Sequence, residues 1–305
     1  MKHPSHRRGP ARAAVVATAL AVATTVAGTA VAATVPAPAA PGPVTQRAAA
    51  TGAVAATEPE PTPTAPLYYL TGMLASGQMY VYSRNGRGGL DTRSGAYVWK
   101  GLKRVVSVDP DLTGYQDGAY HVMTNGVLNQ WRHGVLKKVA TGWQQYSVVI
   151  SPGALARGAR HADLLARDAQ GVLWRVPLKA DGTPAPRVRI GAGWNAYTQI
   201  AGVGDYTGDA RADLVARDAK GVLWLYKGTG DGARPFAPRV RIGAGWNAYD
   251  RLVGIGDVDV DLRSDLLARD PKGNLLLYKG TGKAAAPFKP PVKIGHAFNE
   301  YRDLF

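Results

Sequence analysis

The sequence predicts an all-β fold: a β-propeller of four-stranded blades, five in number. Three observations carry this expectation. First, the stretch Ala185–Tyr197 recurs unchanged at Ala237–Tyr249, a shift of 52 residues. A diverged copy follows one shift further, at Pro290–Tyr301, and an earlier trace is Gly142-Trp143-Gln144-Gln145-Tyr146. Second, each period divides into short β-branched and aromatic runs between Gly-rich turns, with no helical periodicity. Third, second strands begin near Asp117, Asp163, Asp213 and Asp265, at spacings of 46, 50 and 52. Self-similarity near 50 residues, with several strands per period, marks blades repeated around an axis.

In chain order, residues 1–32 read as a secretory signal. Lys2, Arg7, Arg8 and Arg12 precede an uncharged run from Ala13 to Ala32, and Ala30-Val31-Ala32 fits the small-x-small cleavage rule. A membrane anchor is the competing reading, but Ala and Thr insert poorly compared with Leu or Ile. Residues 33–66 are rich in Ala, Pro and Thr and have little to bury, so a disordered, extended linker is expected. From Leu67 to Phe305 the propeller is expected. One full period parses as a first strand Tyr197–Val203, an acidic loop, a second strand Asp213–Arg217, a hairpin turn Asp218–Gly221, a third strand Val222–Lys227 and a fourth strand Arg239–Ile242. Met79–Gly86 reads as an earlier second-strand copy without an acidic loop. Leu67–Thr71 and Tyr301–Phe305 both read as first strands, one more than five blades need. One of them is expected to close the ring.

Composition narrows the function. There is no cysteine, hence no disulfide and no thiolate metal site. The formal charge is +15; cleavage after Ala32 would remove four basic residues and no acid, leaving +11. Such a surface favours acidic partners, with cell-wall polymer and anionic polysaccharide ahead of nucleic acid for a secreted chain. No span is expected beyond the signal.

The acidic loops carry the chemistry. Asp205-Tyr206-Thr207-Gly208-Asp209-Ala210-Arg211-Ala212-Asp213 places side-chain oxygens at positions one, three, five and nine. Asp257, Asp259, Asp261 and Asp265 repeat the pattern, as do Asp109, Asp111, Thr113 and Asp117. Position seven (Arg211, Arg263 and Tyr115) can offer a backbone carbonyl. Calcium takes six to eight oxygen ligands, and carboxylates this close repel one another without a cation. Three calcium loops are expected. An EF-hand is excluded: position twelve is Ala216, Ala268 or Tyr120 instead of Glu, and the flanks are strands. Acidic surface turns without an ion are the bland alternative.

The loops in their setting resemble the FG-GAP/VCBS repeats of integrin-like and secreted bacterial β-propellers. The likeness rests on Gly204-Asp205-x-Thr207-Gly208-Asp209-x-x-Ala212-Asp213-Leu214-Val215 and Gly256-Asp257-x-Asp259-x-Asp261-x-x-Ser264-Asp265-Leu266-Leu267. It implies calcium held between the first two strands of a blade, by the side-chain ligands named above. The Phe-Gly and Gly-Ala-Pro motifs are missing, and so is the usual Gly after the third acid in these two loops. The third unit keeps only Asp163 and adds Arg157 and Arg160, so no calcium is expected there. The Asp257 loop, with four carboxylates, is expected to bind tightest.

Trp143-x-x-Tyr146, Trp194-x-x-Tyr197, Trp246-x-x-Tyr249 and Phe298-x-x-Tyr301 repeat once per blade. They read either as sugar-stacking platforms, with Asn195 and Asn247 bonding hydroxyls, or as packing between blades; packing is preferred. Arg187/Arg189, Arg239/Arg241 and Lys293 read as guards of an outer edge strand with a weak polyanion role. No hydrolase elbow, zinc-protease motif or phosphate loop occurs, and Glu is confined to Glu58, Glu60 and Glu300. The expected function is a secreted, monomeric, calcium-binding and non-catalytic module for carbohydrate or another extracellular polymer at the cell surface. A polysaccharide hydrolase or lyase, and a protein-binding adhesion module, are the alternatives.

Overall fold

The computed structural model describes residues 65–305. The expected signal and nearly all of the expected linker lie outside them. Among the described residues no helix is long and apolar enough to cross a membrane.

Five four-stranded antiparallel sheets follow one another along the chain. Blade 2 is β4 (Leu102–Val108), β5 (Gly118–Met123), β6 (Leu128–Arg132) and β7 (Val135–Ala140). Blade 3 is β8 (Val148–Gly153), β9 (Asp163–Arg167), β10 (Leu173–Pro177) and β11 (Val188–Gly191). Blade 4 is β12 (Tyr197–Ala201), β13 (Leu214–Asp218), β14 (Leu223–Tyr226) and β15 (Val240–Gly243). Blade 5 is β16 (Arg251–Gly256), β17 (Asp265–Arg269), β18 (Leu275–Tyr278) and β19 (Val292–Gly295). Each runs from an inner strand to an outer edge in sequence order, and the repeat period delimits these elements to within a residue or two.

Blade 1 is assembled differently. Its order is β20–β1–β2–β3, with β1 at Leu70–Met73, β2 at Gln78–Tyr82, β3 at Ser94–Val98 and β20 at Asp303–Leu304. The C-terminal strand is therefore the inner strand of the N-terminal blade. It pairs Gly72 with Leu304 and Met73 with Asp303, and Thr71 and Phe305 exchange backbone hydrogen bonds of 2.7 and 3.0 Å. This corrects two sequence expectations. Leu67–Thr71 leads into a second strand, not a first, and Met79–Tyr82 lies in the third strand, not the second. The surplus strand disappears, and blade 1 cannot carry an acidic loop, because its first and second strands come from opposite ends of the chain.

Alternation of side chains across each strand gives every blade two apolar faces, and neighbouring blades bury them against each other. Five hydrophobic clusters result, one per gap. Leu165 and Leu173 of blade 3 meet Leu214, Ala216 and Ile200 of blade 4. Val215, Leu223 and Leu225 of blade 4 meet Leu252, Leu266 and Ala268 of blade 5. Val253, Leu267 and Leu277 of blade 5 meet Leu70 and Leu304 of blade 1. Met73 and Met79 of blade 1 meet Leu102, Val105 and Ala119 of blade 2. Val106, Tyr120 and Leu128 of blade 2 meet Val149, Leu164 and Val176 of blade 3.

All three acidic loops share one backbone form. Positions four and six are left-handed in each: Leu112 and Gly114, Gly208 and Ala210, Val260 and Leu262, with φ between 61° and 88°. Glycine adopts this region freely, whereas a β-branched side chain is strained there. Val260 is 42% exposed, so little packing offsets the strain. Val260→Gly is expected to stabilise the protein by about 0.5–1 kcal/mol, raising Tm by roughly 2 °C for a domain of this size. A lower melting temperature in thermal denaturation would refute this.

Candidate metal centres

Each acidic loop connects the inner strand of a blade to its second strand. In each, three carboxylates offer one oxygen apiece such that all lie within 4.8 Å of one another: Asp109, Asp111 and Asp117; Asp205, Asp209 and Asp213; Asp257, Asp259 and Asp265. Oxygens about 2.3–2.6 Å from one ion lie no more than about 5 Å apart, so each triad could hold a metal ion.

The first and last residues of each loop also shape it. Asp205 accepts backbone hydrogen bonds from Thr207 (2.8 Å), Gly208 (2.7 Å) and Ala210 (2.6 Å). Asp213 accepts from Tyr206 (2.9 Å) and Thr207 (3.0 Å) on one oxygen and from Gly228 (2.8 Å) on the other. Asp257 and Asp265 repeat this with Asp261, Leu262, Val258 and Gly280 as donors. Asp109 accepts from Thr113 and Gly114. Thr113 and Thr207 turn their hydroxyls to Asp109 and Asp205, each at 3.3 Å. Asp261 stands outside its triad, with Arg263 Nη1 at 3.5 Å. The loop with four carboxylates thus brings together three, like the others, and the count that singled it out in the sequence does not carry through.

Burial, above all, pushes the carboxyls of Asp109 and Asp213 up to about 6 and that of Asp265 up to about 7, and neighbouring carboxylates add to this. Each triad also keeps a buried carboxylate oxygen without a hydrogen-bond donor: Oδ1 of Asp117, Asp209 and Asp259. An unsatisfied buried acceptor is costly. Hard oxygen donors, mutual repulsion and an orphaned oxygen fit a hard cation. The other oxygens of these residues face basic side chains. Arg132 reaches both Asp117 and Asp111 (2.7 Å to the latter), while Lys227 lies 3.6 Å from Asp209 and Lys279 2.8 Å from Asp259.

Blade 3 solves the same position differently. Asp163 accepts from the Leu155 backbone N–H at 2.8 Å, and its other oxygen lies 2.8 Å from Arg175 Nε. The side chains are 1% and 11% exposed, so this is a buried ion pair. Arg175 sits in the register where blades 4 and 5 have Leu225 and Leu277. A guanidinium brings a positive charge to the surviving Asp of the degenerate loop. Sequence reasoning noticed Arg157 and Arg160 but missed Arg175; the break in an otherwise apolar third-strand column was the available signal.

The aromatic ring of the repeat is buried. Trp143, Trp194 and Trp246 are 6–7% exposed and Tyr146 and Tyr197 4–5%, all within the interblade clusters, while Tyr249 is half-buried. Tyr197 shares its hydroxyl with Tyr226 (2.5 Å) and Tyr249 with Tyr278 (2.6 Å). Trp194 and Trp246 lie on those partner rings at 4.7 and 4.6 Å between centroids. Their faces are taken, and they offer no open platform to a sugar. Asn195 and Asn247 brace the preceding blade's hairpin by donating to Ala169 O and Ala219 O (3.2 and 3.3 Å). In blades 3, 4 and 5 an Arg at the end of the second strand staples the next blade. Arg167 donates to Trp194 O and Tyr197 O (2.9 and 2.8 Å), Arg269 to Phe298 O and Tyr301 O, and Arg217 to Trp246 O and Tyr249 O. On the outer edge strands, Arg187 and Arg239 stack over Trp174 and Trp224 at 3.9 and 4.1 Å. His121 is buried against Trp99, and burial lowers its pKa to about 4, so it is neutral at physiological pH.

No protein-family model matches this chain, and no curated protein does. Several solved structures are similar to it at low identity. It is similar to the BP39L lectin from Burkholderia pseudomallei, at 15% identity and a TM-score of 0.45 over 74% of this chain and 69% of that one. It is similar to BBS1N, solved in complex with ARL6DN, at 10% identity and a TM-score of 0.40 over 76% and 67%. It is also similar to a protein of unknown function from Bacteroides caccae, at 7% identity and a TM-score of 0.39 over 74% and 73%. The class that fold and site define is a five-bladed β-propeller with three carboxylate triads that could bind metal.

Proposed function

We propose that this chain is a secreted, calcium-stabilised β-propeller acting as a non-catalytic binding module for an extracellular polymer, carbohydrate foremost. The observation that carries the reading is the triad of carboxylates repeated at one register in three blades, each with a buried oxygen lacking a partner. Calcium is the ion proposed, because it accepts six to eight oxygen ligands in flexible geometry, whereas magnesium demands a near-octahedral shell. The ion would be held by Asp205, Asp209 and Asp213 and their counterparts, and would tie the inner strand of a blade to its second strand. A chain without disulfides gains resistance to unfolding outside the cell in this way.

The non-catalytic part rests on commitment of the acids. Asp168, Asp218 and Asp270 cap hairpin turns, and Asp163 is paired with Arg175. Among the described residues the sole glutamate, Glu300, is exposed and pairs with Arg93. Most carboxylates of the described residues are thus committed to loops, turns or ion pairs, whereas a glycosidase needs two to flank the bond. The test is retention of the full chain on immobilised neutral and acidic polysaccharides, with a reducing-end assay on the same polymers. Retention without new reducing ends supports the reading. Released ends would make it a hydrolase or lyase, and retention of a protein partner alone would make it an adhesion module.

A further inference from the structure

The inner strands enclose a central channel with a cavity of about 210 Å³. Its two mouths differ in charge. The acidic loops leave the C-terminal ends of β4, β12 and β16, whereas Arg104 and Arg251 lie near the N-terminal ends of β4 and β16. At that second mouth the cavity is lined by Arg104 of β4, Arg167 at the end of β9 and Arg251 of β16, with a single carboxylate, Asp303 of β20. Three guanidiniums against one carboxylate leave two positive charges in excess in a space partly withdrawn from water.

Their hydrogen-bonding capacity is under-used. A guanidinium has five N–H donors. Among the described residues Arg104 makes one hydrogen bond, from Nη2 to Ser147 O at 3.0 Å. Arg251 pairs with Asp303 through Nη2 at 2.9 Å, and its buried Nε has no acceptor. Arg167 uses Nε and Nη1 and keeps Nη2 unengaged. Like charges gathered around one space call for an anion. Burial and the neighbouring arginine lower the pKa of the Arg104 guanidinium, and Asp303 opposes this only in part.

We propose that this basic mouth binds one oxyanion group of a small polyhydroxylated ligand, a sugar acid of hexuronate size. The carboxylate is placed against Arg104 and Arg251, which can meet it side-on. The volume lies below the range of about 300–1,000 Å³ usual for larger ligands, so a single sugar residue is admitted. The site is distinct from the edge-strand arginines, whose guanidiniums already stack on tryptophan. The choice of a sugar rests on the carbohydrate reading above; the oxyanion seat itself does not.

Isothermal titration of the full chain with glucuronate, glucose, inorganic sulfate and chloride tests this. Glucuronate is expected to bind with a Kd of roughly 1 mM or below, sulfate to compete with it, and glucose and chloride not to bind. Arg104→Gln should weaken glucuronate at least about tenfold, the scale of a charge-assisted hydrogen bond. Arg239→Gln, on the outer edge, should leave binding unchanged, and Arg104→Gln should leave the effect of calcium on melting unchanged. Sulfate binding without glucuronate binding overturns the sugar-acid assignment. Equal affinity for glucose and glucuronate, no anion binding, or loss in Arg239→Gln with none in Arg104→Gln overturns the site. A failed calcium response with intact glucuronate binding would strike only the metal reading.

Discussion

Arg175→Leu is expected to lower the unfolding free energy by about 3–5 kcal/mol, the cost of stripping one partner from a buried ion pair. Asp163 would be left in the interior with one backbone donor, from Leu155, and no cation. The substitution would also remove the Arg175 hydrogen bond to Gly232 O at 3.2 Å, which reaches from blade 3 into the following unit. Leucine itself fits the register, since Leu225 and Leu277 occupy it in blades 4 and 5. The loss is therefore electrostatic rather than steric. The double variant Asp163→Asn/Arg175→Leu should recover at least half of it, because asparagine keeps the acceptor for Leu155 without the charge. Urea denaturation of the parent protein and the two variants measures both numbers. A single-variant loss under about 1 kcal/mol, or a double variant as unstable as the single, would show that the pair does not hold the third blade.

The second large effect is calcium itself. Saturating calcium, measured against excess chelator, should raise stability by about 2.7 kcal/mol per site at one hundred times Kd. Three sites would make this among the largest contributions to the fold. The structure changes which variant is most informative. Asp261 is outside its triad and Asp259 is inside it with the unpartnered oxygen. Asp259→Ala should therefore abolish one of three sites in a calcium titration, while Asp261→Ala should retain it with weaker affinity. Melting that is indifferent to calcium, with no bound ion, would reduce the loops to acidic turns held by their own backbone hydrogen bonds. The opposite ranking of the two variants would mean that Asp261 swings inward when the ion binds.

Much of the fold was legible because a repeat states its own boundaries. The 52-residue shift located the strands and hairpins of blades 4 and 5, and four Asp residues at the heads of second strands, with the diverged copy at Met79–Gly86, gave the blade count. Blade 1 was misread for a reason that local pattern cannot reach. Its inner strand lies more than two hundred residues away, and an apolar run such as Leu67–Thr71 carries no mark of whether its partner precedes or follows it. The acidic residues were likewise legible as three loop clusters by spacing alone. That Asp261 stands aside, and that Arg175 answers Asp163, depend on side-chain directions that spacing does not contain.

The sequence by itself determined the class of fold, the number of blades and the positions where three loops could gather oxygen ligands. Each of these follows from short-range periodicity, which fixes which side of a strand a residue occupies and how soon the pattern returns. Only the tertiary structure decided how the ring closes, that the Trp-x-x-Tyr faces are spent on packing, and that arginines from three blades converge at one mouth of the channel. Those outcomes depend on which blade faces which, and the physical reason is closure. Once the C-terminal strand joins the N-terminal blade, every inner strand is brought to a common axis, and residues far apart in the chain must share its charge and its space.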